Sequence, residues 1–207
     1  MNHTAKSHQG DHRIHDHKHR FEHWYRDNQV YFITARCHTQ FPAFASDHAK
    51  RIFWDRFDHY TAKCHFTPWI TSLLDNHYHT LGYLKYGRDL APMMKSIHGS
   101  TAKLVNDHLQ AVGIHSYCSA DSPLVNGRLV PFWGDGRNTY FDGCIRDERQ
   151  AAHAYRYVLQ QSVRHGLCRN WHDYPHTHLN IEMERAITRA TELRAFLYGV
   201  PYKRYLR

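Results

Sequence analysis

Residues 69–83 read WITSLLDNHYHTLGY, and the way this stretch folds decides the rest of the chain. Trp69 to Leu74 is rich in strand formers, Asp75-Asn76 is a turn-prone pair, and His77 to Tyr83 resumes as a strand. The stretch therefore predicts an antiparallel strand pair. Side chains alternate along a strand, so His77 and His79 project from one face and Tyr78 from the other.

Upstream, Val30-Tyr31-Phe32-Ile33-Thr34-Ala35 reads as a strand. Ser46-Asp47 caps a helix running to about Cys64, with Ile52, Phe53 and Phe57 on one face, and Thr67-Pro68 stops it. Downstream, Leu90 to Leu109 predicts a helix striped by Leu90, Met93, Met94, Ile97, Ala102, Leu104 and Val105, with Pro92 in its first turn. Residues 111–138 read as a long loop with room for one short element. Tyr140 to Ile145 predicts a strand. Asp147 caps a helix from Glu148 to His165, which Gly166 ends. Residues 171–178 read as a loop, Ile181 to Tyr198 as a last helix, and Tyr202 to Arg207 as a basic, aromatic tail. The order β-α-β-β-α-β is the split-βαβ pattern. The expected class is α/β (α+β): a ferredoxin-like antiparallel sheet with helices on one face, the other face open to a ligand, and an appended C-terminal helix.

The chain has 207 residues, which suits one domain with extensions. Residues 1–23 hold seven histidines and almost no apolar residues, and read as a disordered, His-rich arm. The domain proper spans residues 24–175, and residues 176–207 form the C-terminal helix and tail. No run approaches the roughly 18 apolar residues of a membrane span, and the N-terminus lacks a signal-peptide apolar region. A cytoplasmic protein, nucleoid-associated in a prokaryote, with no membrane partner is the expectation. Five cysteines at wide spacings, without a CxxC pair, argue against a disulfide framework or a zinc ribbon. A formal charge of +8 and 14% aromatic residues favour a polyanion with unpaired bases.

Two same-face imidazoles can share a divalent ion and leave positions open to a phosphate oxygen. The chain has 21 histidines, however, and HxH also occurs at His15/His17, His17/His19 and His176/His178. A second clue lies in residues 154–167, AYRYVLQQSVRHGL, where Tyr157 and Gln161 are one helical turn apart. A tyrosine phenolate can form a covalent bond to phosphorus, and a glutamine oxygen can complete a His-His-Gln site. Tyr155 is a rival nucleophile, about 200° round the helix from Tyr157.

Five separated elements, in order, resemble the REP-associated tyrosine transposases, a branch of the single-tyrosine HUH transposases of small insertion sequences. His77-Tyr78-His79 matches the His-hydrophobic-His motif and Asp75-Asn76 its lead-in. Phe132-Trp133 with Tyr140-Phe141-Asp142 matches a tryptophan-to-strand segment, and Ile145-Arg146-Asp147-Glu148 the strand-to-helix junction. Tyr157 to Leu167, YVLQQSVRHGL, matches the hallmark YIxxNPVxAGL, with Gln161 and Ser162 in place of its Asn and Pro. The likeness covers roughly residues 24–175.

The resemblance implies an HUH endonuclease fold and a nicking and strand-transfer chemistry on single-stranded DNA that carries a hairpin. Tyr157 would attack a phosphate to give a 5′-phosphotyrosine. His77, His79 and Gln161 would hold one Mg²⁺ or Mn²⁺, and no ATP would be needed. Lys95, Lys103, Arg137, Arg146, Arg156 and Trp133 are the candidates for DNA contact. The protein would act as a monomer or homodimer. Two other readings of the resemblance are a rolling-circle replication initiator or relaxase, and a non-catalytic nucleic-acid-binding module on the same fold. A histidine-rich metal-buffering protein explains residues 1–23 but not the downstream motif order.

Overall fold

The computed structural model describes residues 25–113, 123–136 and 139–180. The strands β1 (Gln29–Arg36), β2 (Phe66–Leu73), β3 (His77–Leu84), β6 (Phe141–Cys144) and β7 (Thr177–Leu179) form one antiparallel sheet in the order β6-β1-β3-β2-β7. Residues 69–83 are its centre: β2 and β3 are the hairpin the sequence predicts, and β3 also pairs with β1 along its length.

The helices α1 (Asp47–Lys63) and α2 (Leu90–Ala111) cover one face. Tyr31, Ile33 and Ala35 of β1 and Tyr78 and Leu84 of β3 point to that face and are all but sealed from solvent. They pack with Phe53 and Phe57 of α1 and Met93, Met94 and Ile97 of α2 as the main core. Ser46 caps α1 as expected, its Oγ accepting from Ala49 N at 3.2 Å. The stop differs from the expected one. The helix ends at Cys64, the chain turns through His65 in a left-handed conformation (φ 53°), and Pro68 lies inside β2. Opposite it stands Gly82, where a Cβ would sit 2.6 Å from Thr67 O and 2.8 Å from Pro68 Cα. Only glycine admits so close an approach of two strands.

The second face is not fully open. The helix α3 (Glu148–Leu159) lies across it, with Ala151, Ala154, Tyr155 and Val158 packed on Ile70, Leu81 and Ile145 in a smaller core. The single helix expected over Glu148 to His165 breaks at Gln160 and resumes as α4 (Gln161–Arg164). At the break, Gln161 Nε2 donates to Tyr157 O at 2.9 Å, so a side-chain amide bonds the carbonyl that a continuous helix gives to the backbone.

Between α2 and β6 the expected short element is a hairpin, β4 (Leu124–Val125) and β5 (Arg128–Leu129). Its turn is Asn126-Gly127, both at positive φ. Buried Asn106 of α2 pins it, bonding both the N–H and the carbonyl of Leu129. The stretch 171–178, expected as loop, instead supplies most of β7, which pairs with β2. Three residues, Thr-His-Leu, are too few to show strand alternation, but they satisfy backbone groups on a β2 edge that would otherwise be bare. The predicted helix of residues 181–198 and the basic tail lie outside the described residues, as do residues 1–23.

Candidate active site

His77 and His79 sit side by side on the α3 face of β3, their ring centroids 4.9 Å apart and their planes at 85°. Each is 4% exposed. Neighbours fix both rings. Asn76 Nδ2 donates to Gln40 O, which turns its Oδ1 to accept from His77 Nδ1 at 2.6 Å. His79 Nδ1 bonds Thr34 Oγ1 at 2.7 Å, across the β1–β3 pair. With the Nδ1–H groups donating, both Nε2 atoms present lone pairs, the arrangement that orients histidine ligands on a metal.

Electrostatics keep both rings neutral. Burial pushes the His77 imidazole down to about 4, and the neighbouring His165 and Arg36 act in the same direction. Burial likewise takes His79 to about 3, with His77, His165 and Arg36 adding to it. Both rings are therefore neutral near pH 7, and neutral imidazole is the ligand form. The donor set thus fits a divalent ion. Among the described residues no three His, Cys, Asp or Glu side chains converge to hold one. Gln161 donates through Nε2 to Tyr157 O, which leaves its Oε1 to accept.

Tyr157 faces this pair. Its ring lies 5.1 Å from that of His79 and 5.9 Å from Phe32, edge-on to both. Phe32 in turn stacks on His79 at 5.8 Å. The Arg164 guanidinium stands over the Tyr157 ring at 5.3 Å. Tyr155 is 8% exposed and belongs to the small core, so the two tyrosines divide as the helix geometry predicts: one packs, the other borders the histidines. Gln161 is buried one turn after Tyr157. Tyr78 points to the main core, where its hydroxyl bonds His98 Nε2 at 3.0 Å.

Sequence reading missed Thr34 and His165, and named Asn76 only within the motif's lead-in and Arg164 only as a general binding candidate. Asn76 and Thr34 hold the rings, Arg164 stands over the tyrosine, and His165 lies 4.8 Å from His77, ring to ring. Arg164 and His165 follow Gln161 by three and four residues, so helix periodicity could have placed them beside it.

The DNA-contact candidates are scattered. Lys95 and Lys103 are exposed on α2, on the opposite side of the sheet from the histidines. Arg146 and Arg156 are exposed at the start and on the outside of α3. Arg137 lies outside the described residues. Trp133 is corrected: it is 4% exposed, stacks on His98 at 4.4 Å and donates from Nε1 to His98 O, so core packing leaves no ring face for a base.

The fold is a ferredoxin-like α/β domain that sets a His-x-His strand beside a tyrosine-bearing helix. No family model and no curated protein matches the chain. Among solved structures it is similar to a REP-associated tyrosine transposase bound to a REP hairpin, with 14% identity and a TM-score of 0.57 over 84% of this chain and 87% of that one. At that identity the likeness establishes a shared fold. A candidate transposase from Deinococcus radiodurans aligns at 11% identity over 65% of this chain and 91% of that one, with a TM-score of 0.41, too low to add to the argument. Among the described residues no helix is long and apolar enough to cross a membrane.

Proposed function

We propose that the chain is a transposase-type enzyme that nicks and rejoins single-stranded, hairpin-bearing DNA through a 5′-phosphotyrosine on Tyr157. The observation that carries this is the contact of Tyr157 with His79, itself paired with His77, both rings neutral and held through Nδ1. His77, His79 and Gln161 would hold one Mg²⁺ or Mn²⁺, which when bound supplies Lewis acidity toward a phosphate oxygen.

The chain's own residues do the rest. Tyr157 Oη attacks phosphorus, and the bond to the 3′ oxygen breaks with its electron pair on that oxygen. The phenol loses a proton and the departing 3′ oxygen gains one, so the step is proton-neutral. Arg164 beside the ring offsets negative charge on the incoming phenolate and the phosphate. One phosphoester replaces another, so a later 3′-OH can reverse the attack without ATP. His79 and Tyr157 meet within one chain, which supports a site complete in a monomer. The similar protein named above was solved with a REP hairpin, which supports hairpin DNA as the substrate class.

The test incubates the full chain with single-stranded hairpin DNA and Mn²⁺ or Mg²⁺ and looks for a covalent adduct. Tyr157→Phe is expected to abolish the adduct while retaining DNA binding, and His77→Ala to abolish it as well. An adduct that survives Tyr157→Phe and disappears in Tyr155→Phe overturns the assignment. Tight binding with no adduct on any hairpin points instead to a non-catalytic binding module.

A further inference from the structure

A cavity of about 260 Å³ opens on the α3 face directly beside Tyr157. It exists because β6 carries a glycine, Gly143, opposite Phe32 of β1, where a side chain would otherwise fill the space between sheet and helix. Its walls are the rings of Phe32, Phe141 and Tyr157 and the methyl of Ala154, and its polar lining is Gln150 and His153. Gln150, His153, Ala154 and Tyr157 fall at the i, i+3, i+4 and i+7 positions of α3, so one helix stripe forms the whole side. The backbone N–H of Arg146 holds Gln150 Oε1 at 2.8 Å, which leaves the Gln150 amide N–H groups to serve a ligand.

We infer that this cavity receives one unpaired nucleobase of the strand that Tyr157 attacks, from a nucleotide flanking the cleaved phosphate. The inference rests on the proposed chemistry. Tyr157 is a wall of the cavity, so a phosphate within reach of its hydroxyl brings a neighbouring base to the opening. The volume lies below the roughly 300–1,000 Å³ of sites that enclose drug-sized ligands, which suits one planar ring system better than a nucleoside with its sugar. Aromatic walls offer stacking that any base can use, and the Gln150 amide and His153 imidazole offer hydrogen bonds to a base edge. Arg164, over the Tyr157 ring, supplies the positive charge for the attached phosphate. The cavity is thus a specificity pocket: it fixes which nucleotide stands beside the nucleophile.

The test measures binding of the full chain to single-stranded hairpin DNA in EDTA, so that nothing is cleaved. Abasic residues replace, one at a time, the nucleotides flanking the phosphate mapped by adduct formation. Gly143→Leu fills the cavity; a Cβ at this position meets only Phe141 ring atoms at 3.6 Å, an ordinary contact, and the backbone is not left-handed. One abasic position is expected to weaken binding by the wild-type chain by roughly five-fold or more, the range for loss of one stacked base. Gly143→Leu is expected to bind intact DNA that much more weakly and to lose the distinction between intact and abasic DNA. Phe141→Ala, at an exposed position, is the second variant should Gly143→Leu lose its folded circular dichroism; it is expected to shrink the same distinction. If the chain forms an adduct yet no flanking abasic residue matters, or the losses from abasic DNA and Gly143→Leu multiply, the pocket assignment is overturned and the chemistry stands. If no adduct forms, the proposed chemistry falls, and abasic positions scanned along the whole strand then decide the pocket.

Discussion

Lowering the pH from 7 to 5 is expected to destabilise this protein sharply, for a reason lodged in three buried histidines. His77, His79 and His98 are 4%, 4% and 6% exposed. Burial, the first cause in each case, lowers them to about 4, about 3 and about 3. In the unfolded chain they titrate near the ordinary 6.5. Between the folded values and 6.5 the unfolded state binds more protons, so stability rises with pH in that window. It is full above the unfolded value and is lost as pH falls toward the folded ones. At pH 5 each ring is about 1.5 units below its unfolded value, which is about 2 kcal/mol at 1.36 kcal/mol per unit. Together they amount to about 6 kcal/mol, comparable with the whole stability of many domains. Stopping at pH 5 keeps ordinary carboxylates ionised. Urea denaturation followed by circular dichroism at both pH values, without divalent ions, measures the loss. His98→Gln, which keeps an acceptor for the Tyr78 hydroxyl, should reduce the drop by about 2 kcal/mol. A wild-type stability that is flat from pH 7 to 5, or an equal drop in His98→Gln, would refute the assignment of these rings as buried and neutral.

Three further outcomes are expected. Asn76→Ala frees His77 Nδ1, and the Mn²⁺ concentration for half-maximal adduct formation should rise by about 10–100-fold; an unchanged midpoint removes Asn76 from the site. Tyr78→Phe strips the 3.0 Å partner from His98 Nε2 in the core and should cost about 1–3 kcal/mol in denaturant unfolding, while a loss below about 0.5 kcal/mol means the bond contributes little. Gly82→Ala sets a methyl against Thr67 O and Pro68 Cα, so β2 and β3 must part; a cost of about 1–3 kcal/mol or more is expected, and a neutral substitution contradicts the close strand approach.

The elements legible in the sequence are those whose burial imposes a period. β1 alternates between two cores, with Tyr31, Ile33 and Ala35 on one side and Val30 and Phe32 on the other. α1 and α2 pack through single stripes, and Ser46 and Asp147 mark helix starts because their side chains bond Ala49 N and Gln150 N. Less legible were features decided by a single contact. The break at Gln160 follows from one side-chain amide on Tyr157 O, and β7 exists because β2 had an edge to pair. Trp133 reads the same as a base platform or a core ring, and its stacking on His98 is what distinguishes them.

The two HxH pairs of the described residues make the same point about the site. His77/His79 and His176/His178 are equivalent as strings. His178 stacks on Trp54 at 3.7 Å, and His176 Nδ1 accepts from Trp54 Nε1 at 3.2 Å, so those rings fasten β7 and the chain before it to α1. His77 and His79 instead spend their Nδ1 atoms on Asn76 and Thr34, and His79 meets the ring of Tyr157 on the helix that covers the same face. Hydrogen-bond commitment, which no pattern of residue types records, sets the two pairs apart, and under the proposed function it makes only His77/His79 a ligand pair. If that distinction is right, the metal-binding capacity of the folded domain is lost with His77→Ala and untouched by His178→Ala. Titrating Co²⁺ into each variant, with residues 1–23 retained in both so that the arm contributes equally, measures it directly. Equal loss in the two variants would mean that the orientation of the rings does not choose the ligand.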